Sequence, residues 1–205
     1  MRTAILSDIH GHLAGLRAVL DDIARRDCRR IVCLGDLVDG GDDDAEVARW
    51  LRDHGVPCVA GNHDRGAALD LPADVRDFLD RLPETLVEGD ALFTHISPRR
   101  RKSAIRDPDE AWNALDETAA RIVFVGHTHF PRIFRLGGER FTTEPCDFEP
   151  GRPVPLDAGE RYVVCVGAVG YPRDGIRKPR YAVWDADAGA VEMREVDGPV
   201  LPLGS

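Results

Sequence analysis

The sequence lacks the features of a membrane or secreted protein. No apolar run approaches the roughly 20 residues that a membrane-spanning helix needs. The first residues do not show a signal-peptide pattern, because the short apolar stretch at residues 4–6 ends in Ser7-Asp8. We therefore expect no membrane association, and we interpret the first apolar stretch as a β-strand.

Cysteine pairs with the spacing of a metal knuckle or a redox motif are also missing. The number of cysteines is odd, and most lie within apolar runs. The five are Cys28, Cys33, Cys58, Cys146 and Cys165. This pattern predicts reduced, buried thiols in a cytoplasmic protein.

Positive charge is in short supply. The chain has 27 Lys and Arg against 36 Asp and Glu, and its net charge is −9. Non-specific binding to nucleic acid or to an anionic membrane is therefore disfavoured. An anionic substrate is still compatible with this balance, because bound divalent cations reverse the sign of the local field.

The length of 205 residues and the 43% hydrophobic content suit one domain with a real core. We predict a single domain over residues 1–196 and a flexible tail over residues 197–205. Oligomeric state is left open by the sequence.

Short apolar runs alternate with amphipathic segments over the first two-thirds of the chain, which predicts a buried, largely parallel sheet. Helices are predicted over about residues 12–26, 44–53, 73–82 and 107–120. Strands are predicted over 2–6, 31–34, 56–60, 86–88, 91–94 and 121–125.

The remaining third has a different texture. Residues 132–136 and 140–143 flank Gly137-Gly138 and predict a hairpin. Four prolines predict a loop over residues 144–159. Further antiparallel strands are predicted at 161–166, 180–185 and 191–196.

Polar clusters follow five of the predicted strands. They are Asp8-Ile9-His10, Gly35-Asp36, Asn62-His63-Asp64, His95 and His127-Thr128-His129. Ligands of open α/β sheets bind beyond the carboxyl ends of the strands, so these clusters can converge on one crevice. Imidazole suits transition metals, whereas carboxylate and amide oxygens suit harder cations. The mixture favours manganese, iron or zinc over magnesium alone.

Only two of the seven histidines lie outside these clusters. We interpret His12 as a helix-start residue and His54 as a surface residue at a helix end. Within the clusters, three residues have a plain structural alternative: Asp8 as a helix N-cap, Asn62 as a turn former, and His95 as a satisfied core histidine.

The five clusters, in this order, resemble the motif blocks of the calcineurin-like metallophosphoesterases. A sixth block at residues 167–175 resembles a segment of the small bacterial phosphodiesterase branch, although Cys165, Val166 and Ala168 depart from its usual residues. The resemblance implies an α/β fold, a four-layer αββα sandwich with two mixed β-sheets flanked by helices.

The resemblance also implies two divalent metal ions, with manganese favoured and iron, zinc, nickel or cobalt as alternatives. The first ion's implied ligands are Asp8, His10, Asp36 and His129. The second ion's are Asp36, Asn62, His95 and His127, with Asp36 bridging. His63 resembles the acid beside the leaving group, and Asp64 would orient it.

The implied activity is hydrolysis of a phosphodiester or phosphomonoester of a small substrate, nucleotides included, by a hydroxide bound at the two metals. Arg65, Arg99 and Arg173 are candidate phosphate contacts, with solvated surface charge as the alternative for each. We expect the loops at residues 96–118 and 130–160 to select the substrate.

Three other functions remain open at this point. A few relatives of this fold, such as the retromer subunit, are scaffolds without activity, and others are nucleases or serine/threonine protein phosphatases. The protein phosphatase branch has an arginine where Gly40 stands here and a glutamate where Asp64 stands. The acidic charge disfavours a nuclease, and the complete ligand set disfavours a scaffold.

Overall fold

The computed structural model describes residues 1–66, 70–138 and 141–202. Its helices are α1 (Leu13–Ala24), α2 (Asp44–Asp53), α3 (Ala73–Leu79) and α4 (Pro108–Asp116). Its strands are β1 (Arg2–Leu6), β2 (Arg30–Cys33), β3 (Thr85–Glu88), β4 (Ala91–Thr94), β5 (Ile122–Val125), β6 (Pro131–Leu136), β7 (Glu144–Cys146), β8 (Val154–Pro155), β9 (Arg161–Val166), β10 (Arg180–Asp185) and β11 (Ala190–Glu195).

The strands form two mixed sheets. The first has the order β2-β1-β10-β11-β8, and the second has the order β3-β4-β5-β9-β6-β7. Parallel pairing joins β1 to β2, β4 to β5 and β5 to β9, while the other named pairs are antiparallel. Among the described strands from the first two-thirds of the chain, β1 with β2 and β4 with β5 are parallel pairs and β3 with β4 is antiparallel, so the expectation of a largely parallel arrangement there is confirmed. Most of the antiparallel pairs involve strands from residue 131 onward, such as β10 and β11, which a short connection joins.

Side chains of β1 alternate between two cores, and this alternation produces four layers. Ala4 and Leu6 pack with α1, α2 and α3, whereas Ile5 packs between the two sheets. On the outer face of the second sheet, Leu115 of α4 packs against Val123. The predicted αββα sandwich is confirmed.

Capping side chains define the start of two helices. The backbone N–H of Gly15 donates to His12 Nδ1 over 3.0 Å at the start of α1. The Asp107 carboxylate accepts from the backbone N–H of Glu110 over 2.9 Å at the start of α4. Both arrangements satisfy N–H groups that the first helical turn leaves unpaired. Helices α3 and α4 end earlier than predicted, at Leu79 and Asp116.

Two strand predictions need correction. Residues 56–60 form only a parallel bridge between Cys33 and Cys58 at the free edge of β2, with the Cys33 backbone hydrogen-bonded to the Pro57 carbonyl and the Val59 N–H. The second arm of the predicted hairpin is Glu144–Cys146 rather than 140–143, and Arg140 lies outside the described residues.

The predicted loop over residues 144–159 is also wrong in part, because it contains β7 and β8. Both are edge strands, where proline is tolerated since one face of the backbone has no partner to donate to.

The remaining expectations concern the cysteines and the tail. All five cysteines are free; Cys28 and Cys146 are half-buried instead of buried. In the segment expected to be loose, the backbone N–H of Leu201 donates to the Gly170 carbonyl over 2.8 Å. Among the described residues, no helix combines the length and apolar character that crossing a membrane would require. The single-domain boundary at residue 196 stays a prediction.

Candidate metal centre

The loops after β1 and β2 lie side by side and hold each other through the backbone. The N–H of Asp8 donates to the Gly35 carbonyl over 3.0 Å, and the N–H of His10 donates to the Asp36 carbonyl over 2.9 Å. These bonds place three predicted ligand residues at one end of the first sheet. The loops after β4 and β5 approach from the second sheet, with the N–H of Gly126 donating to the His95 carbonyl over 3.0 Å.

A left-handed backbone conformation is concentrated in these loops. Seven described non-glycine residues have positive φ, and six of them lie here with φ between 51° and 72°. They are Asp8, His10, Asp36, Asp39, His127 and His129. Aspartate and histidine tolerate this conformation better than most residues. Each such residue still costs about 1–3 kcal/mol, which the surrounding structure must offset.

The first group of ligand atoms comes from Asp8, His10, Asp36 and His129, all of them buried. One side-chain nitrogen or oxygen from each lies within 4.8 Å of all the others. His129 Nε2 lies 3.2 Å from Asp8 Oδ1 and 3.4 Å from His10 Nε2, and His10 Nε2 lies 3.7 Å from Asp36 Oδ2. These four residues are the set expected for the first ion.

The second group shares Asp36 with the first and adds His95 and His127, again within 4.8 Å of one another. His95 Nε2 lies 3.1 Å from Asp36 Oδ2. Asn62 Oδ1 joins this group, since it lies 3.1 Å from His95 Nε2 and 2.8 Å from His127 Nδ1. The structure therefore brings all seven predicted ligand residues together, with Asp36 between the two groups.

The donor set fits a pair of divalent cations. Asp36 Oδ2 is buried and has no well-aligned hydrogen bond, although it lies close to two imidazoles. The outer ring nitrogens have backbone partners: His10 Nδ1 contacts the Asp39 carbonyl at 2.9 Å, and His95 Nδ1 contacts the Leu34 carbonyl at 2.7 Å. Such contacts direct the other ring nitrogen inward, as ligating histidines require.

Charge in the centre also suits a cation. Burial acts to raise the pKa of Asp8, but its hydrogen bond with His129 holds this pKa below its usual value. Burial lowers the pKa of His10 and of His127. For His95, burial acts to lower the pKa, but the Asp36 carboxylate, 3.1 Å from Nε2, raises it to about 9. Divalent cations bind carboxylates and neutral imidazoles, and a cation would displace the proton of His95.

His63 lies beside the first group, with its ring centroid 5.0 Å from that of His10. Its Nδ1 contacts Asp39 Oδ2 at 2.7 Å, so Asp39 orients this ring. The expectation that Asp64 orients His63 needs correction. The buried Asp64 carboxylate accepts the backbone N–H groups of Leu37 over 2.7 Å and Gly61 over 2.8 Å, and burial raises its pKa to about 6. It supports the loops rather than the ring.

The three candidate arginines have different surroundings. Arg65 lines a cavity next to Asn62 and His95. The guanidinium of Arg173 lies over the Tyr171 ring, 5.3 Å from its centroid. Arg99 is tied to α4 instead, since its Nη1 donates to Glu110 Oε2 over 3.0 Å and its Nε lies 3.6 Å from Glu117. Arg99 therefore links the 99–103 loop to α4, and its contact with substrate stays a prediction.

Close backbone approach requires glycine at the points where the loops meet. A Cβ at Gly126 would lie 2.8 Å from Asp8 Oδ2, and a Cβ at Gly61 would lie 2.8 Å from Asp36 Cγ. Distances below 3.0 Å force something to move. Any larger residue at these positions would thus displace a candidate ligand carboxylate.

Two contributions were missed at the sequence level. Asp39 has a visible signal, because it follows Asp36 by three residues at the end of the same strand-and-loop block. The second is the Tyr171 carbonyl, which His129 Nδ1 contacts at 2.5 Å. A backbone carbonyl is present at every residue, so no sequence pattern singles this one out.

Comparison with known proteins gives consistent results. A family model described as the calcineurin-like phosphoesterase superfamily domain matches residues 1–189. An uncharacterized protein of Methanocaldococcus jannaschii is 31% identical over 225 residues, covering 95% of this chain and 86% of that protein.

Solved structures agree with the sheet arrangement. The crystal structure of a metallophosphoesterase from Sphaerobacter thermophilus has a TM-score of 0.84 and 29% identity, and the match covers 97% of this chain and 89% of that one. A hypothetical protein from Pyrococcus horikoshii OT3 has a TM-score of 0.70 and 17% identity, with 96% and 88% covered. At that identity the second likeness concerns the fold alone.

Proposed function

This chain belongs to the calcineurin-like phosphoesterase superfamily, and from that premise we propose that it hydrolyses phosphate esters of small molecules with two divalent metal ions. Family membership implies a phosphoesterase hydrolase with a candidate metal-binding site. The observation that carries the finer proposal is the pair of ligand groups sharing the buried Asp36 carboxylate.

In this proposal one ion is held by the first group and one by the second. The first set is Asp8, His10, Asp36 and His129, and the second is Asp36, Asn62, His95 and His127. Mixed imidazole and oxygen ligands favour manganese, with iron, zinc, nickel or cobalt as alternatives. A shared carboxylate would suit such a pair, because two neighbouring cations repel each other and the negative charge of Asp36 would offset part of that repulsion.

Two bound cations would supply Lewis acidity toward phosphoryl oxygens and would lower the pKa of water toward neutrality. The chain's own residues supply the remaining steps. His63 donates a proton to the leaving oxygen, and the Asp39 carboxylate holds its Nδ1 so that Nε2 is the exchanging atom. His63 is not shared with either ligand group, which leaves it available for proton transfer.

The substrate in this proposal is a small phosphorylated molecule, and the location is the cytoplasm, where the five free cysteines stay reduced. Protein phosphatase activity of the serine/threonine type is not favoured. A Cβ at Gly40 would lie 2.9 Å from His10 Cβ, so the arginine of that branch does not fit this loop. The net charge of −9 weighs against a nuclease.

The test is hydrolysis of bis(p-nitrophenyl) phosphate by protein loaded with manganese, with metal content measured by elemental analysis. Asp36→Ala removes the carboxylate shared by both groups. Loss of a residue that only hydrogen-bonds to a metal ligand costs about 10–100-fold in activity, so we expect loss of this ligand to lower turnover by more than about 100-fold. Asp42→Ala, an exposed acid in the same loop, is the matched control and keeps full activity.

Two outcomes would count against the proposal. Absence of turnover above blank across several metals and phosphoesters would contradict it. Bound metal without any turnover would favour the scaffold function instead.

A further inference from the structure

A cavity of about 150 Å³ opens at the edge of the second ligand group, where Asn62 and His95 form part of its wall. Arg65, Glu84 and Lys102 line the same cavity. Neither Lys102 nor Glu84 belongs to the candidate metal centre. The cavity therefore joins two of the four predicted second-ion ligands to a small set of charged side chains.

The two positively charged side chains of this cavity, those of Arg65 and Lys102, both lie close to the Glu84 carboxylate. Arg65 Nη1 lies 3.7 Å from Glu84 Oε1, and Lys102 Nζ lies 3.6 Å from Glu84 Oε2. Backbone carbonyls hold both side chains in place, because Arg65 Nη2 donates to Leu82 over 3.2 Å and Lys102 Nζ donates to Ser97 over 3.0 Å. Two positive charges against one negative charge leave a local excess of positive charge in a chain whose net charge is −9.

We propose that Arg65 and Lys102 form a second anion subsite, so that the preferred substrate has a second phosphate group beside the one that is hydrolysed. This inference rests on the proposed function. Guanidinium and ammonium groups are the side chains that bind phosphate oxygens most strongly. A complete small-molecule site usually occupies about 300–1,000 Å³. The cavity is therefore sized for one phosphoryl group and its linking atoms.

Glu84 acts in this subsite as a competitor for the second phosphate. Its side chain is 62% exposed, and neither of its ion pairs is as short as a hydrogen bond. Exposed pairs of this kind contribute little to stability, so the phosphate can displace the carboxylate at small cost. Removing the charge of Glu84 should therefore strengthen binding, whereas removing either cation should weaken it.

The test uses three non-hydrolysable probes in which the phosphonate carries the same three-carbon chain: propylphosphonate, which has no second anionic group, 4-phosphonobutanoate and propane-1,3-bisphosphonate. Their affinities for manganese-loaded protein are measured by titration calorimetry. Charge-assisted hydrogen bonds are among the stronger polar contacts, so we expect the bisphosphonate to bind at least about tenfold more tightly than propylphosphonate.

Variants then test which side chains produce the higher affinity for the bisphosphonate. Arg65→Gln and Lys102→Gln should each remove most of the difference in affinity between the bisphosphonate and propylphosphonate, and Glu84→Gln should increase that difference. Arg81→Gln, an arginine with 80% of its side chain exposed, is the matched control and should change nothing. Thermal unfolding of each variant checks that the fold is retained.

Equal affinity for propylphosphonate and the bisphosphonate would overturn the inference. A higher affinity for the bisphosphonate that persists in both Arg65→Gln and Lys102→Gln would also overturn it. Binding of 4-phosphonobutanoate as tight as that of the bisphosphonate would overturn the assignment of a second phosphate in favour of a carboxylate. None of the probes is hydrolysed. Turnover of bis(p-nitrophenyl) phosphate without bisphosphonate preference would therefore refute this inference alone, and bisphosphonate preference without turnover would refute the catalytic proposal alone.

Discussion

His63 and Asp39 differ from the candidate ligands in their access to solvent. The His63 side chain is 38% exposed and that of Asp39 is 49% exposed, whereas Asp8, Asp36 and His95 are buried. An exposed imidazole can exchange its proton with solvent after each turnover. A carboxylate on Nδ1 fixes the tautomer and the orientation of the ring. These properties suit a general acid and distinguish His63 from the buried histidines of the centre.

His63→Gln should affect substrates according to their leaving groups. We expect kcat for an alkyl phosphate to fall by about 10²–10⁴-fold, because an alkoxide needs a proton to leave. For a p-nitrophenyl ester the fall should be much smaller, since p-nitrophenolate leaves without one. Steady-state kinetics on both substrates, with elemental analysis, checks this. His54→Gln, whose ring stacks on Trp50, is the control. An equal fall for both substrates would contradict the assignment of His63.

Asp39 and Asp64 have different roles, because Asp39 contacts the His63 ring and Asp64 accepts backbone hydrogen bonds from the loops. Asp39→Asn should lower kcat on an alkyl phosphate by about 10–100-fold and leave metal content unchanged, because only the orientation of His63 is lost.

Asp64→Asn should lower the free energy of unfolding by about 1–3 kcal/mol, since an amide cannot accept all the backbone N–H groups that the carboxylate accepts. Steady-state kinetics and denaturant unfolding of both variants would test these expectations. A loss of kcat in Asp64→Asn without one in Asp39→Asn would show that Asp64, and not Asp39, orients His63.

At the scale of elements, the centre depends on the loops that follow β1, β2, β4 and β5. Each loop is held by backbone hydrogen bonds to a neighbouring loop. The left-handed residues turn the chain sharply enough for side chains from successive positions to enter the same space. The glycines at the crossings keep these backbones close together. The sheets thus fix the point at which each loop begins, and the loops fix the positions of the candidate ligand side chains.

Gly126→Ala tests this dependence on close approach. The new methyl group would press on Ser7 and on the Asp8 carboxylate, so we expect a loss of about 1–3 kcal/mol in the free energy of unfolding together with weaker manganese binding. Gly159→Ala is the control, because a Cβ there meets nothing within 4 Å. Unfolding in urea and calorimetric metal titration measure the two effects. Unchanged metal affinity in Gly126→Ala would show that the loops are not tightly constrained.

At the scale of the whole molecule, the candidate metal centre joins the two sheets. Asp8, His10 and Asp36 follow strands of the first sheet, whereas His95 and His129 follow strands of the second. Between the sheets lies an apolar core that includes Phe93, Phe124 and Trp184. Bound cations would therefore link two layers that are otherwise held together mainly by apolar contact. Metal binding should then be visible in the stability of the complete fold.

Manganese should raise the unfolding temperature of the protein. A ligand at 100 times its Kd stabilises the folded state by about 2.7 kcal/mol, which for a chain of this size corresponds to roughly 5–10 °C. Differential scanning calorimetry with manganese and with EDTA measures the shift, and Asp36→Ala should abolish it. Retention of the full shift in Asp36→Ala would exclude Asp36 as a ligand.

Element type and site composition were largely predictable. β4, β9, β10 and α2 match their predicted bounds, because each is a short apolar run or an amphipathic segment with clear flanking residues. Predictions were poorest between residues 137 and 160. Short edge strands such as β7 and β8 contain proline and bury little apolar surface, so their pattern is not distinguishable from that of a loop.

The sequence alone determined which side chains follow which strands, and hence the composition of the candidate metal centre. It could do so because hydrophobic periodicity and the order of motif blocks are properties of the chain itself. Only the tertiary structure decided that Asp39 rather than Asp64 holds His63, that Arg99 pairs with α4, and that Lys102 shares a cavity with Arg65. These contacts join residues that are distant in the chain or depend on backbone turns. Their partners are selected by packing, which local sequence pattern does not encode.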